Sequence, residues 1–166
     1  MKDDRDRGGG GPRTEDGMPR SECQEEDLPD LGVLAARLLF DFQGELFAAL
    51  AEQGHSELRP RHGAVLAHLD REGGRATDIA RRARRHKQVI GKLIDELEAL
   101  GYVERRPDPD DRRAKLIVPT RRALDQMERG AALIAEIERR HAEAVGPEAF
   151  AEFKRVFHRI SRPPQE

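Results

Sequence analysis

Between residues 75 and 92 the chain carries seven lysines and arginines against one acid, Asp78. Arg81, Arg82, Arg84 and Arg85 lead into Lys87 and Lys92, with Gln88 and Gly91 between these two lysines. Cations at this density suit a polyanion, because each one paired with a phosphate releases condensed counterions. Gln88 adds a different chemistry. Its amide offers a donor and an acceptor together, the pattern that matches an adenine edge. Lys87 and Lys92 suit phosphate or guanine. Gly91 costs helix stability, yet a missing side chain permits close approach to a base edge. The ordinary alternative is a solvated helix face, but such faces mix their charges, and here almost all are of one sign.

Catalytic patterns are absent. The sequence holds no HExxH, paired-cysteine, phosphate-loop or nucleophile-elbow motif, so neither an enzyme nor a cofactor is expected. The six histidines are His55, His62, His68, His86, His141 and His158. His62 and His68 are six apart and share a helix face poorly. His141 and His158 flank the helix break at Gly146–Pro147 and could meet near Glu138 as a metal site, although unremarkable helix histidines are the commoner case. The single cysteine, Cys23, excludes an internal disulfide and reads as an incidental thiol.

The elements that must hold the basic residues follow from periodicity and punctuation. Asp30, after Pro29, can cap a helix in which Leu31, Leu34, Leu38, Phe42, Leu46 and Leu50 recur every three or four residues, ending at Gly54. Pro60 opens a second helix with Val65, Leu66 and Leu69 inward, stopped by Gly73–Gly74. Thr77 or Asp78 caps a short third helix. After a tight turn at Arg84–Arg85–His86 comes a helix over 87–100. Val89, Ile90, Leu93, Leu97 and Leu100 form its apolar set, and Lys87, Gln88, Gly91, Lys92 and Asp95 lie opposite. The period then changes. Residues 102–106 and 114–118 read as two strands around the turn 107–111, whose prolines and aspartates favour local hydrogen bonds. Thr120 caps a helix carrying Leu124, Met127, Ala131, Ile134, Ile137, His141 and Val145 on one stripe. Gly146–Pro147 separates a last helix with Phe150, Phe153, Phe157 and Ile160. The expected fold is mainly α with a small β-hairpin wing: a winged helix-turn-helix.

The run from Leu93 to Thr120, LIDELEALGYVERRPDPDDRRAKLIVPT, resembles the winged-helix core of the MarR family of transcriptional regulators. The wing pattern of that family, D-x-R-x5-L-T, corresponds to Asp111, Arg112, Arg113, five residues, Pro119 and Thr120. Pro119 stands where the family has Leu, and Ala123 where a Gly is common. The resemblance implies that Arg113 enters the minor groove, that Asp111 orients it by a salt bridge, and that Arg112 lies near phosphate. It also implies a homodimer on a near-palindromic double-stranded DNA site, with a small aromatic ligand between a dimerisation lobe and a DNA-binding lobe. The expected DNA-binding set is Arg84, Arg85, Lys87, Gln88, Gly91, Lys92, Asp111, Arg112 and Arg113.

Charge and composition fit this division. Residues 75–122 hold fourteen basic against eight acidic side chains, whereas the whole 166-residue chain has a net charge of −2. Residues 1–27 hold nine acids, five bases and four consecutive glycines, and read as a disordered tail. Residues 28–162 form the expected domain, with the winged helix at 60–119 and dimerisation helices at 30–53 and 120–160. No apolar run suits a membrane span and no secretory signal opens the chain, so a cytoplasmic protein with no membrane partner is expected. The function expected is that of a sequence-specific DNA-binding transcriptional regulator, a homodimeric repressor released by a small ligand. The alternatives are a winged-helix protein-interaction module without DNA binding and a metal-responsive regulator.

Overall fold

Asp30 begins the first helix as its position after Pro29 predicts: its carboxylate accepts from the Val33 N–H at 3.1 Å. The computed structural model describes residues 28–111 and 113–161. The expected tail, Cys23 and Arg112 lie outside the described residues.

Helix α1 spans Leu31–Leu50 and runs into a π-helical turn over Ala51–His55, which Gly54 ends with a φ of 95°. A 3-10 turn over Pro60–His62 leads into α2, Gly63–Leu66. The second helix is therefore shorter than its sequence suggests. Leu69 still reaches the core from the turn beyond it. At Gly73 (φ 94°) a Cβ would stand 2.8 Å from the Ile117 carbonyl oxygen, so no side chain fits. This close approach lets β1, Gly74–Arg75, add a third strand to the expected hairpin. The order is β1-β3-β2, all antiparallel, with β2 at Val103–Pro107 and β3 at Lys115–Pro119. Helix α3, Ala76–Arg82, starts before Thr77, with Arg75 at the capping position and no side-chain cap. Helix α4 covers Lys87–Ala99.

Ile90, Leu93, Ile94 and Leu97 of α4 pack with Val65, Leu66, Leu69, Ile79, Tyr102, Val103, Ile117 and Ala123 in one cluster. Each Val, Leu or Ile side chain of the cluster contributes about 1.5–3 kcal/mol when fully buried, so this cluster holds the winged region together. Val89 is the exception in α4. It is 46% exposed, not part of the apolar face that periodicity assigns it to.

Helix α5, Arg121–Val145, is capped by Thr120, whose hydroxyl oxygen accepts from the Ala123 N–H. Gly146 (φ 92°) turns the chain into α6, Pro147–Ser161. The two halves of the molecule meet at His55, which is buried. Its Nδ1 lies 2.9 Å from the Tyr102 hydroxyl and its Nε2 3.1 Å from an Asp125 carboxylate oxygen. Arg122 stacks on the Tyr102 ring and donates to Glu57 and to the Leu100 carbonyl.

Around α1, α5 and α6 the packing is different. No residue of α6 is buried, and Leu31, Leu34, Leu39, Phe153 and Ile160 remain exposed. A groove of about 1010 Å³ runs between the three helices, lined by Leu38, Phe42, Phe150, Phe153 and Phe157 among others. No helix among the described residues is long and apolar enough to cross a membrane.

Candidate nucleic-acid interface

The start of α4 carries the exposed side chains Lys87, Gln88, Val89 and Lys92. They stand outward because Ile90, Leu93, Ile94 and Leu97 fix the opposite side of the helix in the core. Gly91 is placed differently from the expectation. It is half-buried on the flank facing the sheet, where it lines a 280 Å³ cleft with Thr77, Ile94, Arg105, Lys115 and Ile117. A Cβ at Gly91 would meet nothing within 4 Å, so packing within the chain does not require the glycine.

The arginines around the α3–α4 turn have separate roles. Arg81 pairs with Asp78 at 2.8 Å, and Arg82 with Asp70 and the His68 carbonyl. Arg84 adopts a φ of 51°, in the left-handed region that non-glycine residues rarely enter. Its guanidinium donates to the Ser161 carbonyl at 3.2 Å, the negative end of α6. Arg84 is thus occupied within the chain, unlike the free phosphate contact read from its sequence position. Among the described residues, Arg85, Lys87, Lys92 and Arg113 form no ion pair.

The wing is organised by residues whose partners lie far away in sequence. Asp108 is 3% exposed. One of its oxygens accepts from the Arg75 guanidinium at 2.6 and 2.7 Å, and the other accepts from the Asp110 N–H at 2.9 Å. The Arg75 guanidinium, helped by the Asp110 N–H, holds this carboxyl below the usual carboxylate range. Asp111 accepts from the backbone N–H of Arg113 at 3.0 Å. The expected salt bridge between their side chains is not formed: Asp111 fixes the backbone of Arg113 and leaves its guanidinium outward. On β2, Arg105 pairs with both Asp95 and Glu98 of α4, and its N–H also donates to Glu98 at 3.2 Å. This staple ties the wing to the helix and neutralises two carboxylates on it. Arg75 and Arg105 are the site residues that the sequence reading leaves out. Period two offered a signal for Arg105, which shares a strand face with the buried Val103 and so points back towards α4.

Two of the histidines, His55 and His62, tie elements together through both ring nitrogens. The Nδ1 atom of His62 accepts from the Arg59 N–H at 3.1 Å, so Nε2 carries the proton and donates to Glu96 at 2.9 Å. Hydrogen bonds from His62 and then Arg61 hold the Glu96 carboxyl below its usual range. Glu138 is engaged by Lys154 at 2.7 Å and His141 stacks on Phe150, so the metal site considered above is not assembled. Among the described residues no group of three or more metal-ligating side chains is gathered.

The MarR family profile matches residues 56–114, the segment containing α2, α3, α4 and the first half of the wing. CouR from Rhodococcus jostii RHA1, solved bound to p-coumaroyl-CoA, is 28% identical over 82% of this chain and 95% of that one, with a TM-score of 0.66. A MarR-family transcriptional regulator from Rhodococcus sp. RHA1 is 27% identical over 82% and 96%, with a TM-score of 0.65. In sequence over residues 56–114 and in fold over most of its length, the chain is similar to MarR-family transcriptional regulators. No curated protein sequence matches it. A structure of the transcriptional repressor CouR bound to a 23-mer DNA duplex shares the fold at 24% identity, over 80% and 93%, with a TM-score of 0.68. The chain departs from the MarR wing pattern at Pro119 and Ala123. Neither disturbs the junction. Pro119 closes β3 opposite Val103, and Ala123 is buried with its N–H on the Thr120 cap.

Proposed function

We propose that this regulator is a homodimer that binds a near-palindromic double-stranded DNA site and represses transcription until a small ligand releases it. The observation that carries the reading is the set of cations that have no ion partner among the described residues at one edge of the winged helix: Arg85, Lys87 and Lys92 around the start of α4, and Arg113 on the wing. Helix α4 enters the major groove, where Gln88 pairs with adenine and Lys87 and Lys92 contact phosphate or guanine. Gly91, on the wing side of the helix, leaves room for the backbone to approach. Arg113 and the neighbouring Arg112 reach the minor groove and its phosphates, with Asp111 holding the turn.

The dimer accounts for the apolar surface of α1, α5 and α6. Fully exposed, those side chains would leave α6 without a core, and a two-fold partner covers them. CouR is called a transcriptional repressor in its complex with a DNA duplex and is also solved bound to p-coumaroyl-CoA, which favours a repressor that takes a small ligand here as well. Selection of sequences bound by the full chain from random duplex DNA tests the reading. It should enrich a near-palindrome with half-sites about one helical turn apart. Failure to enrich any sequence, with no salt-dependent affinity for duplex DNA, would overturn it in favour of a protein-interaction module.

A further inference from the structure

Val89 is the only large apolar side chain exposed on α4, and it sits in the first turn between Gln88 and Lys92. It lies outside the cluster that takes up Ile90, Leu93, Ile94 and Leu97. Valine is a poorer helix former than alanine, and Val89 stays outside the core cluster with about half of its surface open to solvent, so neither local propensity nor core packing explains the choice of valine. Its position is nevertheless well defined. A β-branched side chain in a helix has one strongly preferred rotamer, and its Cβ leans towards the helix N-terminus. The two methyl groups are therefore held over the same end of α4 that carries Lys87 and Gln88. Polar neighbours alone read donors and acceptors. The one feature of the major groove that they cannot use is the C5-methyl of thymine, which takes an apolar contact.

We infer that Val89 is a specificity-determining residue that packs on a thymine methyl in each half-site. The inference rests on the DNA-binding reading above and deepens it: the site must contain a thymine whose methyl group, not its pairing edge, is recognised. Burial of a methyl-sized apolar group corresponds to about a fourfold change in affinity per half-site and about fifteenfold for a symmetric pair.

The test uses the full chain and its selected duplex, with each thymine replaced in turn by deoxyuridine, which removes the methyl and keeps the base pair. One position per half-site should weaken wild-type binding by about fourfold. Val89→Ala should bind the unmodified duplex about fourfold more weakly per half-site and should be indifferent to deoxyuridine at that position. Its unfolding midpoint should match the wild type, because the residue is exposed. If deoxyuridine is tolerated everywhere, or if Val89→Ala keeps the same sensitivity, the assignment of Val89 is overturned while DNA binding stands. If no duplex is enriched at all, the DNA-binding reading itself falls, and this inference with it.

Discussion

Arg113 is placed by its backbone. Asp111 accepts from the Arg113 N–H, the Ala114 N–H donates back to the Asp111 carbonyl at 2.9 Å, and the guanidinium is left exposed. An arginine presented this way gains from the negative potential of a narrow minor groove, so Arg113→Ala should lower operator affinity at least about tenfold. Asp111→Ala should give a smaller loss, since it loosens the turn without removing the charge. Equal losses, measured by fluorescence anisotropy, would mean that the turn and not the arginine matters. Asp108 supplies a pH test of the same turn. Its carboxyl is held low by Arg75, so the stability of the pair is complete above the ordinary carboxylate value of about 3.9 and is lost as pH falls through the lowered one. Exchange protection of the Asp110 and Ala114 amides should therefore persist down to about pH 4 in the wild type. In Asp108→Asn it should already be weakened at neutral pH; an unchanged profile would deny the ion pair its role. The sequence announced a turn here through its prolines and aspartates. It did not announce Arg75, 33 residues away, as the group that buries Asp108.

Helix ends and turns are where the sequence was most legible, because capping is local. Asp30, Gly54, Gly101, Thr120 and Gly146 all punctuate the chain where their chemistry suggests. Thr120 does more than cap α5. Its hydroxyl donates to the Gly101 carbonyl at 2.7 Å and so ties the end of α4 to the start of α5. Thr120→Ala should cost about 1 kcal/mol in thermal or denaturant unfolding, and Thr120→Ser should recover most of it. A neutral alanine variant would show that the cap is redundant. What the sequence concealed is non-local. Strand β1 has two residues and exists only because Gly73 lets the chain pass against Ile117. The periodicity of α4 identified an apolar side but not its edge, and Val89 fell on the wrong side of it. Arg84 looked like a phosphate ligand in a basic run, yet its bond to Ser161 spans 77 residues.

At the scale of the molecule, charge and apolar surface are segregated. The winged region holds the basic surplus around a closed core, and α1, α5 and α6 leave their apolar faces uncovered. The surplus of leucine and phenylalanine at both ends was legible as stripes, whereas the groove between the helices depends on how they splay. Light scattering at micromolar concentration should give about twice the chain mass of 18.7 kDa. A monomer at every accessible concentration would remove both the dimer and the palindrome. DNA recognition through the free cations of α4 and the wing is tested most directly by equilibrium binding of the full chain to its selected duplex across a range of salt concentrations. The expected result is a straight line of log K against log salt, falling by about 0.9 for each phosphate contacted and several units steep for a dimer, with a shallower line for Lys87→Ala. An affinity that does not change with salt, or a slope that Lys87→Ala and Arg113→Ala both leave untouched, would contradict it.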